Sequence, residues 1–569
     1  MTLKHEMIGH LLIAKGLISV QSLERALLEQ EKKTNLLGET LIGMGLITAE
    51  KFYSTLADQL GVEYVNLKDI NIDPAVIKEI PAKFACHYEL MPIKIEDNLI
   101  TVAMINPADI NTIDDIKLLL KKEIKACLAS RADIMDSIKK YYGVGAETIE
   151  KMGPEISAES AINIQHQETQ DLDGAIEDAS IINFVNQVLM EAYRDRATDV
   201  HIEPFEDELQ VRYRIDGVLH ETKVPPAIKN FQSAIISRIK IMANLDISER
   251  RLPQDGRIRI KIGDDKVDLR VSIMPTPFGE SVMIRLLSSN ILFGMESLGL
   301  LKPDLEIMET MVKKPHGIIF VTGPTGSGKT TTLYASLNKI NGKDKKIITI
   351  EDPIEYQLKG ITQMQVQPKI GFTFANALRS MLRHDPNVMM VGEVRDYETA
   401  EITIRVALTG HLVFSTIHTN DAAGGVTRLI DMGVDPFLVA SAVECFIAQR
   451  LVRVICDKCK KEFKPSKEIL KELGVSRLDL SKTKLYEGKG CEACRFTGYK
   501  GRTAIYEILV MSEPVRELVL KRSSSGQIKK KALSLGMRTL RQDGWEKIKS
   551  GITTPGEVIR VTQEESLEE

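Results

Sequence analysis

Eight consecutive residues, Gly323-Pro324-Thr325-Gly326-Ser327-Gly328-Lys329-Thr330, carry the clearest chemistry in this chain. They fit the G-x-x-x-x-G-K-[ST] spacing, in which glycines let the backbone curl so that successive N–H groups aim at phosphate oxygens. The apolar, β-branched run 317–322 before them reads as a buried strand, and 331–337 after them as a helix. The positive end of that helix adds to the attraction for an anion. Lys329 is then placed to reach the β- and γ-phosphates, and the Thr330 hydroxyl to hold Mg²⁺, with Thr331 in the same site. A glycine-rich turn without a ligand would not require both flanks. The pattern implies binding of ATP or GTP.

Three further segments each end an apolar, strand-like run in polar residues: 347–355, closing on Glu351-Asp352-Pro353-Ile354-Glu355; 388–396, with Glu393; and 412–419, with His418. In a parallel α/β sheet, ligands sit beyond the carboxyl ends of the strands, so these groups should converge on the terminal phosphate. Hydrolysis needs Mg²⁺ to neutralise charge and a group that orients or deprotonates water. Glu393 is the expected water-orienting residue. Glu351, Asp352 and Glu355 are expected around the metal and its water shell, and His418 at the γ-phosphate. One acid at a strand end is commonly a solvated cap; three such ends after a phosphate loop form a set.

A second constellation is Cys456-x₂-Cys459 and Cys491-x₂-Cys494, with 31 residues between the pairs. Each knuckle offers two thiolates at the bite of tetrahedral zinc, and four thiolates leave no open coordination position, so the expected metal is structural. Redox pairs are the alternative, but neither knuckle has a thioredoxin-like context. Cys86, Cys127 and Cys445 lie among apolar neighbours and read as core residues.

The elements that must position these groups belong to a chain of 569 residues, long enough for three or four domains, with 43% hydrophobic and 27% charged residues and a net charge of −4. That balance gives no argument for nucleic-acid binding. There is no apolar run of transmembrane length and no signal-peptide core at Met1-Thr2-Leu3-Lys4-His5-Glu6, which predicts a cytoplasmic protein. The front carries a repeat: Gly9, Leu12, Gly16, Leu17, Ile18, Ser19, Leu23, Leu27 and Gln30 recur 29 residues later as Gly38, Leu41, Gly45, Leu46, Ile47, Thr48, Phe52, Leu56 and Gln59. Each copy reads as a helix ended by glycine, a Ser or Thr N-cap, and an amphipathic helix. Alternating runs at 64–67 and 99–103 suggest a small α/β unit, completing a module over 1–142. An acidic, aromatic-poor stretch over 143–178 reads as a flexible linker, with a surface helix as the alternative. A helix at 181–190 and period-2 runs at 209–215 and 266–273 predict a second α/β domain over 179–288. The nucleotide domain fills 289–569.

In order and spacing, the phosphate loop, the acidic box at 351–355, Gly392-Glu393 and Ser415-Thr416-Ile417-His418-Thr419 resemble the secretion-superfamily ATPases of the PilB/GspE type, motors of type IV pilus assembly and type II secretion. So do Ala197-Thr198-Asp199-Val200-His201-Ile202-Glu203-Pro204, Arg212-x-Arg214-x-Asp216-Gly217 and Leu252-Pro253-Gln254-Asp255-Gly256-Arg257. The likeness covers residues 180–569. It implies a multidomain α/β protein with a RecA-like core, a preceding PAS-like α/β domain, and a homohexamer that hydrolyses ATP. It further implies arginines supplied to the nucleotide from the second domain, here Arg270 and Arg285, which would stabilise transition-state charge. The implied partners are an inner-membrane platform protein and cytoplasmic assembly proteins, and the implied location is peripheral to that membrane. The tetracysteine zinc element also belongs to PilB and GspE, whereas retraction motors generally lack it. Pilus assembly is the first reading, on account of the long, repeat-containing front region, with type II secretion the alternative. A DNA translocase fits poorly, since the second-domain motifs are wrong for it. The front repeat resembles a cyclic-di-GMP module whose copies begin Arg-Leu-Gly. Here the positions read Met7-Ile8-Gly9 and Leu36-Leu37-Gly38, which predicts weak or no cyclic-di-GMP binding, because neither Met nor Leu offers a bidentate fork.

Overall fold

The computed structural model describes residues 2–30, 37–143, 176–262, 265–288, 294–473 and 484–562. The acidic stretch read as a linker falls almost wholly outside these residues. The chain divides into two compact units, Met1–Leu286 and Leu287–Glu569.

The first unit opens with helices Thr2–Ala14, Val20–Gln30, Leu37–Gly43 and Ala49–Leu60. The repeat is visible in its bonds. Gly16 and Gly45 both take positive φ (68° and 69°), and Leu17 and Leu46 each send their N–H five residues back, to Leu12 and Leu41. These are helix stops of one kind. A Cβ on Gly9 would come within 2.8 Å of the Leu23 side chain, and one on Gly38 within 2.4 Å of the Phe52 ring, so glycine recurs where two helices touch. Ser19 caps by accepting from the Ser22 N–H at 3.1 Å. Thr48 holds the equivalent position, but its side chain makes no cap bond; only its extended backbone starts the helix.

The following α/β unit has strands β1 (Leu90–Glu96), β2 (Leu99–Met104) and β3 (Glu123–Leu128), with β1–β2 antiparallel and β2–β3 parallel. The expected strand at 64–67 shrinks to one bridge, Tyr64 to Leu128. Asn66 ends it, its side chain accepting from the Lys68 N–H as cap of the 3₁₀ turn Leu67–Asp69.

The second domain is a six-stranded sheet of β4 (Ala197–Pro204), β5 (Leu209–Ile215), β6 (Val218–Thr222), β7 (Gln254–Ile262), β8 (Asp265–Thr276) and β9 (Gly279–Ser288), in the order β6-β5-β4-β9-β8-β7. Helices Ile176–Arg194 and Gln232–Met242 share its core, where Phe184, Val188, Ile235 and Ile239 lie buried with Val211, Leu269, Val271 and Ile284. Side chains alternate along a strand, so burial of Leu269, Val271 and Ile284 turns Arg270 and Arg285 to the other face.

The second unit is built on β10 (Gly317–Thr322), β11 (Ile347–Glu351), β12 (Thr362–Gln365), β13 (Val388–Val391), β14 (Leu412–Ile417), β15 (Val443–Ile455) and β18 (Tyr499–Val510), in the order β12-β11-β13-β14-β10-β15-β18. β10 through β15 run parallel, and β18 runs antiparallel to β15. A short hairpin, β16 (Lys460–Phe463) with β17 (Leu485–Gly488), stands apart. Ile318 and Phe320 enter one apolar cluster and Ile319 and Val321 the opposite one, so helices cover both faces. That double burial is why the strands read as unbroken apolar runs.

Candidate active site

The topology makes the site. β10, β11, β13 and β14 are parallel neighbours, so the residues that follow them emerge along one edge of the sheet. The phosphate loop follows β10, the acidic box closes β11, Gly392-Glu393 follows β13 and His418 follows β14. Gly326 and Gly328 take φ of 78° and 89°, conformations that glycine adopts without a Cβ penalty. A Cβ on Gly323 would press to 2.6 Å from the Gln449 carbonyl oxygen, so the loop lies directly on β15. Pro324, Thr325 and Gly326 are exposed at its crest, and Thr330 and Thr331 open the helix Lys329–Ile340 half-buried. The Ser327 hydroxyl is buried without a hydrogen-bond partner among the described residues.

Lys329 lies across the loop, its Nζ donating to the carbonyls of Gly323 at 2.7 Å and Pro324 at 3.1 Å. Burial pulls its ammonium down to about 8; Glu393 opposes that shift and Arg450 adds to it. Glu393 and Arg450 are therefore each in electrostatic range of Lys329.

Glu393 and His418 meet: His418 Nε2 is 3.3 Å from Glu393 Oε2, and Arg395 holds the other carboxylate oxygen. The Glu393 side chain is 12% exposed and that of His418 48%, so the carboxylate is recessed behind the ring. Backbone bonds fix both. Thr416 Oγ1 donates to the Gly392 carbonyl at 2.8 Å, and the Val394 N–H to the Thr416 carbonyl at 2.9 Å.

The acidic box separates into different roles. Glu351 is buried, accepting from the Tyr334 hydroxyl, from Thr349 Oγ1 at 2.7 Å and from Gln363 Nε2 at 3.0 Å. Both its oxygens serve internal donors, so Glu351, expected near the metal, here braces the sheet edge. Asp352 is exposed, in electrostatic range of Arg395. Glu355 is half-buried, and its N–H donates to the Tyr334 hydroxyl at 3.3 Å.

In the first unit, Arg285 lies opposite Asp199 across β9 and β4, and its Nε donates to Asp199 Oδ1 at 2.8 Å. Arg214, on β5, flanks the same buried aspartate at 3.5 Å. Arg270 faces Arg257 across β8 and β7. Sequence reasoning passed over Gln449 and Arg450. Gln449 Oε1 accepts from Thr332 Oγ1 at 2.7 Å, tying β15 to the helix behind the phosphate loop. No motif marks either residue, and their place at the loop follows only from the register of β15 on β10.

The four cysteines gather with all Sγ atoms within 4.8 Å of one another; Cys456–Cys491 and Cys459–Cys494 stand at 3.8 Å and Cys491–Cys494 at 3.7 Å. Zinc–sulfur bonds of about 2.3 Å at tetrahedral angles require sulfur separations of about 3.8 Å, whereas a disulfide closes to about 2.05 Å. Cys494 Sγ also accepts from the N–H groups of Cys491 at 3.1 Å and Gly498 at 3.3 Å, which favours a thiolate. The long insert is the hairpin β16–β17 with its connection. Cys127 and Cys445 are buried, and burial pushes both thiols up to about 12, as inert core residues.

A family model described as type II/IV secretion system protein matches residues 175–560. A model of the MshEN domain matches residues 60–148, on the α/β unit and not on the helical repeat. The chain is 43% identical over 558 residues to the type IV pilus assembly ATPase PilB of Myxococcus xanthus, covering 97% of this chain and 98% of that protein. It is 42% identical over 542 residues to the PilB of Thermus thermophilus, covering 94% of this chain and 60% of that one. It is also 42% identical over 527 residues to type II secretion system protein E of Xanthomonas campestris pv. campestris, with 92% of each chain covered. With a phosphate loop and a recessed acid at one sheet edge and a family match across most of its length, this chain belongs to the type II/IV secretion system proteins and is one of their ATP-hydrolysing members.

Proposed function

We propose that the chain is the motor of type IV pilus assembly, converting ATP hydrolysis into pilin polymerisation. The observation that carries this reading is the 43% identity to a pilus assembly ATPase along 97% of this chain and 98% of that protein, front region included. Type II secretion is the second reading, favoured by 48% identity over 407 residues to a type II secretion system protein E of Pseudomonas aeruginosa, which covers 71% of this chain.

In the site, the loop N–H groups and Lys329 hold the β- and γ-phosphates. The Thr330 hydroxyl and Asp352 are the oxygen donors suited to Mg²⁺, which supplies charge neutralisation when bound. Glu393 orients and deprotonates the attacking water, and the His418 ring holds that carboxylate and faces the γ-phosphate. Glu355 supports the water shell. Arg270 and Arg285 act as fingers from the second domain, which requires a site completed by assembly, here a homohexamer. Cys456, Cys459, Cys491 and Cys494 hold one structural zinc. Residues 1–142 form a docking module joined by the 143–178 linker to the 179–288 domain, and they bind cyclic-di-GMP weakly or not at all. Among the described residues no helix is long and apolar enough to cross a membrane, so membrane association would go through partners such as a platform protein.

The test is complementation in the source organism. Deleting the gene should abolish surface pili while leaving exoprotein secretion intact. Wild type should restore pili, and Glu393→Gln should not. Loss of secretion with pili retained would select the second reading.

A further inference from the structure

Arg450 stands on β15 two residues beyond Ala448, which pairs with Thr322, the last residue of β10; the arginine is therefore level with the opening of the phosphate loop. Its Nη2 donates to the Asn420 carbonyl at 2.7 Å and its Nη1 to the Gln449 carbonyl at 3.0 Å. A Cβ on Gly323 would come within 3.2 Å of Nη1, so the guanidinium lies against the first residue of the loop. Asn420 belongs to the turn that follows His418. That turn is tied over β10 by Thr322, whose Oγ1 accepts from the Thr419 N–H at 2.9 Å.

The charge balance is unusual for a structural arginine. The side chain is half-buried, yet among the described residues no carboxylate lies within ion-pair distance of it. Burial holds its guanidinium below the usual arginine range. The acids that act on it at longer range, Glu507 and Asp421, share one other cation: Lys529 Nζ lies 3.7 Å from Glu507 and 3.6 Å from Asp421. Arg450 and Lys329 are thus two cations in mutual electrostatic range at one glycine loop, and Arg450 helps depress the lysine. A half-buried guanidinium without a carboxylate in ion-pair contact is costly, and an arriving anion would lower that cost. Two of its five N–H groups go to carbonyls, and the planar fork suits phosphate oxygens.

We propose that Arg450 is a further phosphate-binding residue, supplied in cis, that contacts the terminal phosphate of ATP and links its presence to the turn carrying His418. This rests on the reading of the loop as the ATP site. The terminal phosphate is indicated because Arg450 lies against the first residue of the loop and donates to the turn that follows His418, the side chain proposed to face the γ-phosphate. A clip that only fastened β15 to the turn would need hydrogen bonds but no charge, and glutamine would serve it.

The experiment uses the full chain and two probes, ADP and the β,γ-imido analogue of ATP, with binding measured by calorimetry for wild type, Arg450→Gln and Arg450→Lys. Wild type binding both probes secures the site itself. Arg450→Gln should then weaken the ATP analogue about tenfold or more while ADP changes less than about threefold, as expected for one charge-assisted contact. Arg450→Lys, which keeps the charge without the fork, should fall between. Equal weakening of both probes, or no weakening in a variant that keeps the wild-type melting temperature, would overturn the proposal. Should Arg450→Gln fail to fold, the same comparison is read from Arg450→Lys, where equal losses for the two probes would likewise reject it.

Discussion

At the residue scale, the loop and its acids owe their legibility to spacing, and their division of labour to contacts that spacing does not encode. Glu351 and Glu393 each follow an apolar strand, yet one is saturated by Tyr334, Thr349 and Gln363 while the other faces His418. Tyr334 is the cause, and it lies on the loop's own helix, 17 residues before Glu351. Lys329 gives a pH prediction. Its folded value of about 8 lies below the ordinary 10.5, so above about pH 8 phosphate binding must take up a proton. ATP affinity should hold steady below that pH and fall by up to about tenfold per unit above it, as titration calorimetry from pH 7 to 9.5 would read. Over the same window the unfolded chain binds more protons than the folded one, so this lysine makes unliganded stability rise with pH. An affinity flat to pH 9.5 would remove the lysine's charge from recognition. Asp199 anchors Arg285. Asp199→Asn should lower turnover about tenfold or more while leaving ATP binding within about twofold, and equal turnover would detach that pair from the reaction.

At the scale of elements, regular patterns were readable and single-residue interruptions were not. The 29-residue repeat predicted two equivalent helix stops, and Gly16 and Gly45 make them with matching bonds. The run at 64–67 looked like a strand because Tyr64, Val65 and Leu67 are apolar, but the Asn66 side chain turns the backbone. The proposed zinc site depends on four cysteines converging from two knuckles, and sulfur spacings of 3.7 and 3.8 Å suit one ion. Metal analysis of purified protein should find one zinc per chain, and replacing any of Cys456, Cys459, Cys491 or Cys494 with serine should release it and lower the melting temperature. Absence of zinc with two disulfides in its place would reject the assignment. In the front module, Met7→Arg with Leu36→Arg should create measurable cyclic-di-GMP binding where the natural module has little, because a guanidinium restores a phosphate fork. Tight binding by the natural protein would contradict that reading; Leu36 itself lies outside the described residues.

At the scale of the whole molecule, the arginines proposed as fingers lie in the unit ending at Leu286 and the phosphate loop in the unit beginning at Leu287. Hydrolysis should therefore require more than the second unit. A fragment beginning near residue 290 should turn over ATP about 10³-fold more slowly than the full chain if the arginines act as fingers, and equal rates would defeat that claim. The sequence carried this organisation through motif order, since phosphate loop, acidic box, glutamate and histidine follow one another as strands of one sheet. It did not disclose Arg450, because β15 offers no motif and its arginine acquires meaning only from lying beside Gly323. The claim on which the motor rests is that water attacks the terminal phosphate under the control of Glu393. Phosphate release and ATP binding measured on the same full-length sample test it most directly. Glu393→Gln should bind ATP within about threefold of wild type and release phosphate about 10²-fold more slowly or worse, as loss of a general base requires. Near-normal release by that variant would contradict the account.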